Sequence, residues 1–181
     1  MCMFRDLRAD EIECRVAQAK ENGVSLLLYK DARCDQNILD ETVGAMNWQR
    51  CHTRDNANCI VSLWDEKKQQ WISKEDTGTE SNTEKEKGLA SDSFKRACFN
   101  WGIGRELYTA PFVWVNAADC TALKQKQNGT WQCNDSFVVS KIVIEKKRIV
   151  ALAIKNAKTG KFCFIWQDKK WEAEQKEKQN V

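Results

Sequence analysis

The stretch Ser91–Gly104, SDSFKRACFNWGIG, fixes the punctuation of the chain. A run of helix formers from about Thr83 to Trp101 stops on two glycines set one residue apart. At about 100° per residue, Ala90, Phe94, Ala97 and Trp101 share one helix face, which predicts docking on a sheet. Lys85, Gly88, Asp92, Lys95, Arg96 and Phe99 fall opposite. A solvated face takes charges readily but seldom phenylalanine. A ring between Lys95 and Arg96 suits single-stranded nucleic acid, where cations track phosphates and an aromatic face stacks on any base. Phe99 packed under a neighbouring strand or subunit is the competing reading, and both stand open.

Strand-sized segments surround this helix. Glu11–Ala17 and Val24–Lys30 flank the turn ENG. A helix is expected next, with Asp35 as its N-cap and Leu39, Val43 and Met46 at helical spacing. Strands are expected at Trp48–Arg54, Asn58–Trp64 and Trp71–Asp76, with Trp64 and Trp71 as a cross-strand pair. Pro111, the only proline, ends this unit. Beyond it, ALKQKQNGTWQC reads as a hairpin on an Asn-Gly turn, and residues 136–167 as a three-strand meander. The polar tail from Asp168 is expected to be disordered. The domain organisation expected is therefore 1–111, then a β-rich extension 112–167, then the tail 168–181.

Composition narrows the function classes. The 181 residues are 42% hydrophobic and 30% charged, so a packed core is expected. Net charge is only +3, so any nucleic-acid signal must lie in local clusters. No apolar run is long enough to span a membrane, and MCMFRDLRADEIEC carries charges where a signal peptide needs an apolar stretch. A cytoplasmic location is expected. None of the nine cysteines forms a C-x-x-C pair, so they read as small buried hydrophobes. Asn128 in NGT reads as a turn residue.

Two blocks carry a family resemblance. Ser91-Asp92-Ser93-Phe94-Lys95-Arg96-Ala97 follows the pattern (Thr/Ser)-Asp-x-(Leu/Phe)-Lys-Arg-Ala, and Phe99-Asn100-Trp101-Gly102 follows it as an aromatic glycine turn. Upstream, LLLYKDARCDQNILDETVGAMNWQR carries a Gly-x-Asn-Trp turn at Gly44–Trp48. Together, over about Val24 to Pro111, they resemble the Rad-fifty-two-type single-strand annealing proteins, in their Sak-like phage branch. The resemblance implies an α+β fold: a β-hairpin, a helix and a three-stranded antiparallel sheet packed on a long helix, followed by a C-terminal β meander. It implies a non-enzymatic protein that binds single-stranded DNA and pairs complementary strands without ATP. Such a protein needs no cofactor or metal. It acts in recombination and double-strand break repair, in the cytoplasm of a bacterial host or phage-infected cell, as a homo-oligomeric ring or filament, with a single-strand binding protein as an optional partner. Residue by residue, the resemblance places Lys87, Lys95, Arg96, Tyr29 and Arg33 at the DNA. The better-known eukaryotic members carry a further arginine where this chain has Phe99, so stacking is the inferred substitute.

Three other signals compete. From Lys141 to Lys161, seven Lys or Arg face one acid, Glu145, which reads either as a second DNA-facing rim or as turn lysines guarding strand edges. Asp135, Glu145 and Lys147 have the D…E-x-K order of a Mg²⁺-dependent nuclease. A passive single-strand binder would coat DNA without speeding pairing. His52, the one histidine, is expected to be solvated.

Overall fold

The structure, a computed structural model, describes residues 4–79 and 85–179. In chain order, β1 (Glu13–Lys20) and β2 (Gly23–Tyr29) lead to α1 (Ala32–Val43). β3 (Trp48–Thr53), β4 (Asn58–Asp65) and β5 (Gln70–Thr77) precede α2 (Lys85–Trp101). Then come β6 (Val113–Asn116), β7 (Leu123–Gln125), β8 (Trp131–Cys133), β9 (Phe137–Glu145), β10 (Arg148–Asn156), β11 (Phe162–Gln167) and α3 (Lys169–Gln179).

The expected fold, a long helix packed on a three-stranded sheet with a meander appended, is corrected. Among the described residues strand outweighs helix, and the dominant element is a six-stranded antiparallel sheet that nearly closes on itself. The order is β11-β10-β9-β1-β2-β6, and the edge strands β11 and β6 approach each other. The physical reason is non-local pairing. β1 pairs with β9 through Glu13 and Val138, and β2 pairs with β6 over Gly23–Leu26. The early hairpin thus finds its partners in the C-terminal half.

Two compact units result: Lys30–Arg105 with residues 4–6, and Leu7–Tyr29 with residues 106–179. The expected linear division at residue 111 is not followed, since the chain passes from one unit to the other after residues 6, 29 and 105. In the six-stranded unit, Val24, Val115 and Ile154 are fully buried and Val113, Ile149 and Leu152 nearly so. Closing a twisted sheet on itself buries these inward residues and removes most of its open edge.

In the other unit β3, β4 and β5 form an antiparallel meander, with Trp64 opposite Trp71 and their rings 5.5 Å apart. Phe94, Ala97 and Cys98 of α2 are fully buried, and α2 lies against β4 and β5. The Trp101 indole donates to the Val61 carbonyl at 3.0 Å. The N-cap of α1 is Asp31, which accepts from the Cys34 amide at 3.0 Å. Asp35 is instead fully buried, with both carboxylate oxygens taken by Lys30. Met46 lies past the end of α1 and is exposed.

The tail is corrected too. Lys169–Gln179 is helical; Asp168 accepts from the Lys170 and Trp171 amides, and Trp171 donates to Glu145 at 2.7 Å. An Asp side chain over the first-turn amides nucleates a helix that composition alone does not announce. Among the described residues, no helix is long and apolar enough to cross a membrane.

Candidate nucleic-acid interface

The two glycines after α2 do different jobs. Gly102 has φ +99°, and the Gly102 and Ile103 amides bond back to the Phe99 and Cys98 carbonyls at 2.9 and 3.2 Å. That is a Schellman closure with the apolar residue Ile103 buried behind it. Gly104 serves close approach, since a Cβ there would stand 2.2 Å from Lys30 Cε.

This closure leaves the last carbonyls of α2 for cations. Arg105 donates through Nε to the Phe99 carbonyl and through Nη2 to the Asn100 carbonyl, each at 2.9 Å. Lys74, from β5, donates to the same Asn100 carbonyl at 2.8 Å. Negative partial charge at a helix C-terminus favours both. Arg96 Nε reaches Asp76 at 3.3 Å, and Asn100 Nδ2 reaches Asp76 at 3.2 Å. The neighbouring Glu75 carboxylate is turned to Asn58. Lys74, Arg96 and Arg105 therefore gather around the end of α2 with Asp76 as the acid among them.

Aromatic rings interleave with these cations. Lys74 Nζ lies 4.5 Å from the Trp101 ring centre, and Arg105 Cζ lies 5.6 Å from that of Phe99. Arg50 Cζ stands 4.8 Å over Phe94. Phe94 is fully buried and closed to any ligand, whereas Phe99 and Trp101 are half-buried.

The residues expected at DNA are distributed unevenly. Arg96 is exposed and lies in this cluster. Phe99 is half-buried beneath Arg105 rather than projecting between Lys95 and Arg96. Lys95 is half-buried on α2. Burial pushes the Asp35 carboxyl up, to about 6, while Lys30 and, more weakly, Lys95 pull it down. Lys87 lies on α2, but its side chain is outside the described residues, as is Thr83 at the expected helix start. Arg33 is exposed and paired with Asp31 at 2.9 Å. Tyr29 belongs to the six-stranded unit. Its hydroxyl donates to Glu13 at 2.5 Å, and that bond pushes the phenol up to about 12. Sequence reasoning missed Lys74 and Arg105. Both were legible only as flanking cations, since tertiary pairing of β5 with α2 brings Lys74 to Asn100.

The nuclease arrangement does not assemble. Asp135 and Glu145 stand at opposite ends of β9, about 30 Å apart at strand rise, too far to share one Mg²⁺. Nor is His52 solvated. It is half-buried, burial and then Arg50 lower its pKa, and its Nδ1 lies 3.4 Å from Ser93 Oγ. The Ser93 hydroxyl is buried and also contacts the Asn56 and Ala90 carbonyls, so it offers no accessible nucleophile.

No family model matches the chain, and neither the curated proteins nor the solved structures include a match.

Proposed function

We propose that this chain binds single-stranded DNA and pairs complementary strands without ATP, as a homo-oligomer in the cytoplasm. The observation that carries the reading is the gathering of Lys74, Arg96 and Arg105 with Phe99 and Trp101 around the end of α2. Cations for phosphates beside rings for bases are the two parts a sequence-tolerant single-strand site needs. The sequence blocks around Phe94-Lys95-Arg96 and Gly44–Trp48 supply the annealing part of the reading through their family resemblance. An annealer must hold many nucleotides in one register, so repeated copies of a small site are required.

Affinity for labelled oligothymidine, measured against salt, tests the contact set. Changing Lys74 and Arg105 together to Gln is expected to shallow the slope of log affinity against log salt by about 1.4, about 0.7 for each lost single-strand phosphate contact. Losing both helix-end cations also costs about 0.3–1 kcal/mol each, so thermal melting of the variant is recorded alongside. A folded double variant with unaltered slope and affinity would remove the site. A strand-pairing time course with quenched complementary oligonucleotides separates annealing from passive coating. Light scattering that shows a monomer with and without DNA would sink the oligomer.

A further inference from the structure

The base of the β7–β8 hairpin holds a different kind of chemistry. Leu123 pairs with Cys133 across the hairpin, and the Asn134 amide donates to the Ala122 carbonyl at 3.2 Å. Cys120 lies two residues before this closure and Asp135 immediately after it. The Cys120 and Cys133 sulfurs and an Asp135 carboxylate oxygen all lie within 4.8 Å of one another. Cys133 is buried; Cys120 and Asp135 are half-buried.

We infer that Cys120, Cys133 and Asp135 form a binding site for a thiophilic divalent cation, zinc being the natural occupant. Two sulfurs and one carboxylate are a borderline-soft donor set that suits zinc and disfavours Mg²⁺ or Ca²⁺. With Zn–S near 2.3 Å, a tetrahedral ion holds two sulfurs about 3.8 Å apart, so the three groups need close by only about 1 Å. Cys133 Sγ already lies 3.2 Å from Asp135 Oδ2.

The surroundings fit a ligand set. Asp135 is aimed and held by the Thr121 and Ala122 amides, each at 2.8 Å, and by the Thr121 hydroxyl. Such outer bonds orient a metal-binding carboxylate. The thiols now spend their protons on oxygens, Cys133 on Asp135 and Cys120 on the Asn116 carbonyl at 3.6 Å. Binding breaks two S–H bonds, forms two metal–sulfur bonds and releases two protons, with no change of oxidation state. An open cavity of about 380 Å³, lined in part by Thr121, Asn134, Asp135 and Lys158, adjoins the Asp135 member of the group. The C-x₁₂-C-x-D spacing escapes sequence inspection because the hairpin, rather than a short loop, brings the ligands together.

Titrating the full, reduced chain with Co²⁺ tests the site. One equivalent is expected to produce thiolate-to-cobalt charge transfer in the near ultraviolet and the strong visible bands of a tetrahedral ion. Zn²⁺ is expected to bleach both and to raise the melting temperature. Cys120→Ser and Cys133→Ser are expected to abolish the bands, with far-ultraviolet circular dichroism reporting that each variant is folded. Cys51→Ser, at an exposed position on β3, is expected to leave them intact. If buried Cys133→Ser misfolds, Cys120→Ser decides. A reduced wild-type chain that stays colourless would overturn the site. So would an unchanged spectrum in Cys120→Ser, or a Cys120–Cys133 disulfide in protein isolated under reducing conditions.

Discussion

Lys30→Met is expected to destabilise the Lys30–Arg105 unit by about 3–5 kcal/mol at neutral pH, read from denaturant unfolding. The Lys30 side chain is 7% exposed and Asp35 is fully buried, and the ammonium contacts both carboxylate oxygens. Removing one member strands an uncompensated charge, which costs far more than the intact pair contributes. Replacing both, Lys30→Met with Asp35→Leu, is therefore expected to recover most of the loss. The pH dependence has a definite sign. Without Lys30, burial raises the Asp35 carboxyl above its unfolded value of about 3.9. Its protonated form then suits the folded state, so the penalty is smallest at low pH and grows as pH rises through the folded value. Gly104→Ala should act in the same direction. Its φ is +74°, and the added methyl would press on the Lys30 stem. A Lys30→Met chain as stable as wild type would show that the pair is open to water.

Phe94→Ala is expected to cost about 3–5 kcal/mol, the range for emptying a buried aromatic site. The ring is fully buried and stacked on Trp48 at 6.1 Å, with the Arg50 guanidinium above it. Denaturant unfolding of the wild-type and variant chains reads this loss. Phe99→Ala, at a half-buried ring, is expected to cost much less and to weaken single-strand binding by about 1–3 kcal/mol if the ring stacks on a base. A Phe94→Ala loss below about 1 kcal/mol would mean that the aromatic contact does not hold this unit together.

Much of the local architecture was readable from period and punctuation. Phe94, Ala97 and Trp101 recur at helical spacing and lie on the packed side of α2; Gly102 ends it; Trp64 faces Trp71. Partners far along the chain were not readable. Glu13 pairs with Val138, and nothing in either strand names the other. The fold class failed for that reason, because β1 and β2 are as compatible with a neighbouring sheet as with β6 and β9. Asp35 reads as a cap in sequence, but burial beside Lys30 takes it into the core and Asp31 caps α1 instead. At the candidate interface, Arg96 was legible as an exposed cation, whereas Lys74 and Arg105 acquire meaning only once β5 and the Schellman turn direct them at one carbonyl. The Cys120–Cys133–Asp135 group was hidden by the same long-range effect on a smaller scale.

The passage of the chain between units after residues 6, 29 and 105 sets an order of events at the ribosome. Lys30–Arg105 is nearly continuous and has its main core partners in hand once α2 emerges. The β1–β2 hairpin, made first, lacks β9 until about a hundred further residues have been added. At 5–20 residues per second that is a delay of roughly 5–20 s with one strand edge unpaired. Proteolysis of chains stalled on the ribosome near residue 140 should find 30–79 and 85–105 protected while residues 13–29 are still cut. The early hairpin is consequently the segment of this protein that most needs shelter during synthesis, and polar residues along β1 such as Glu13, Arg15, Gln18 and Lys20 are suited to keep its waiting edge from pairing with the wrong partner.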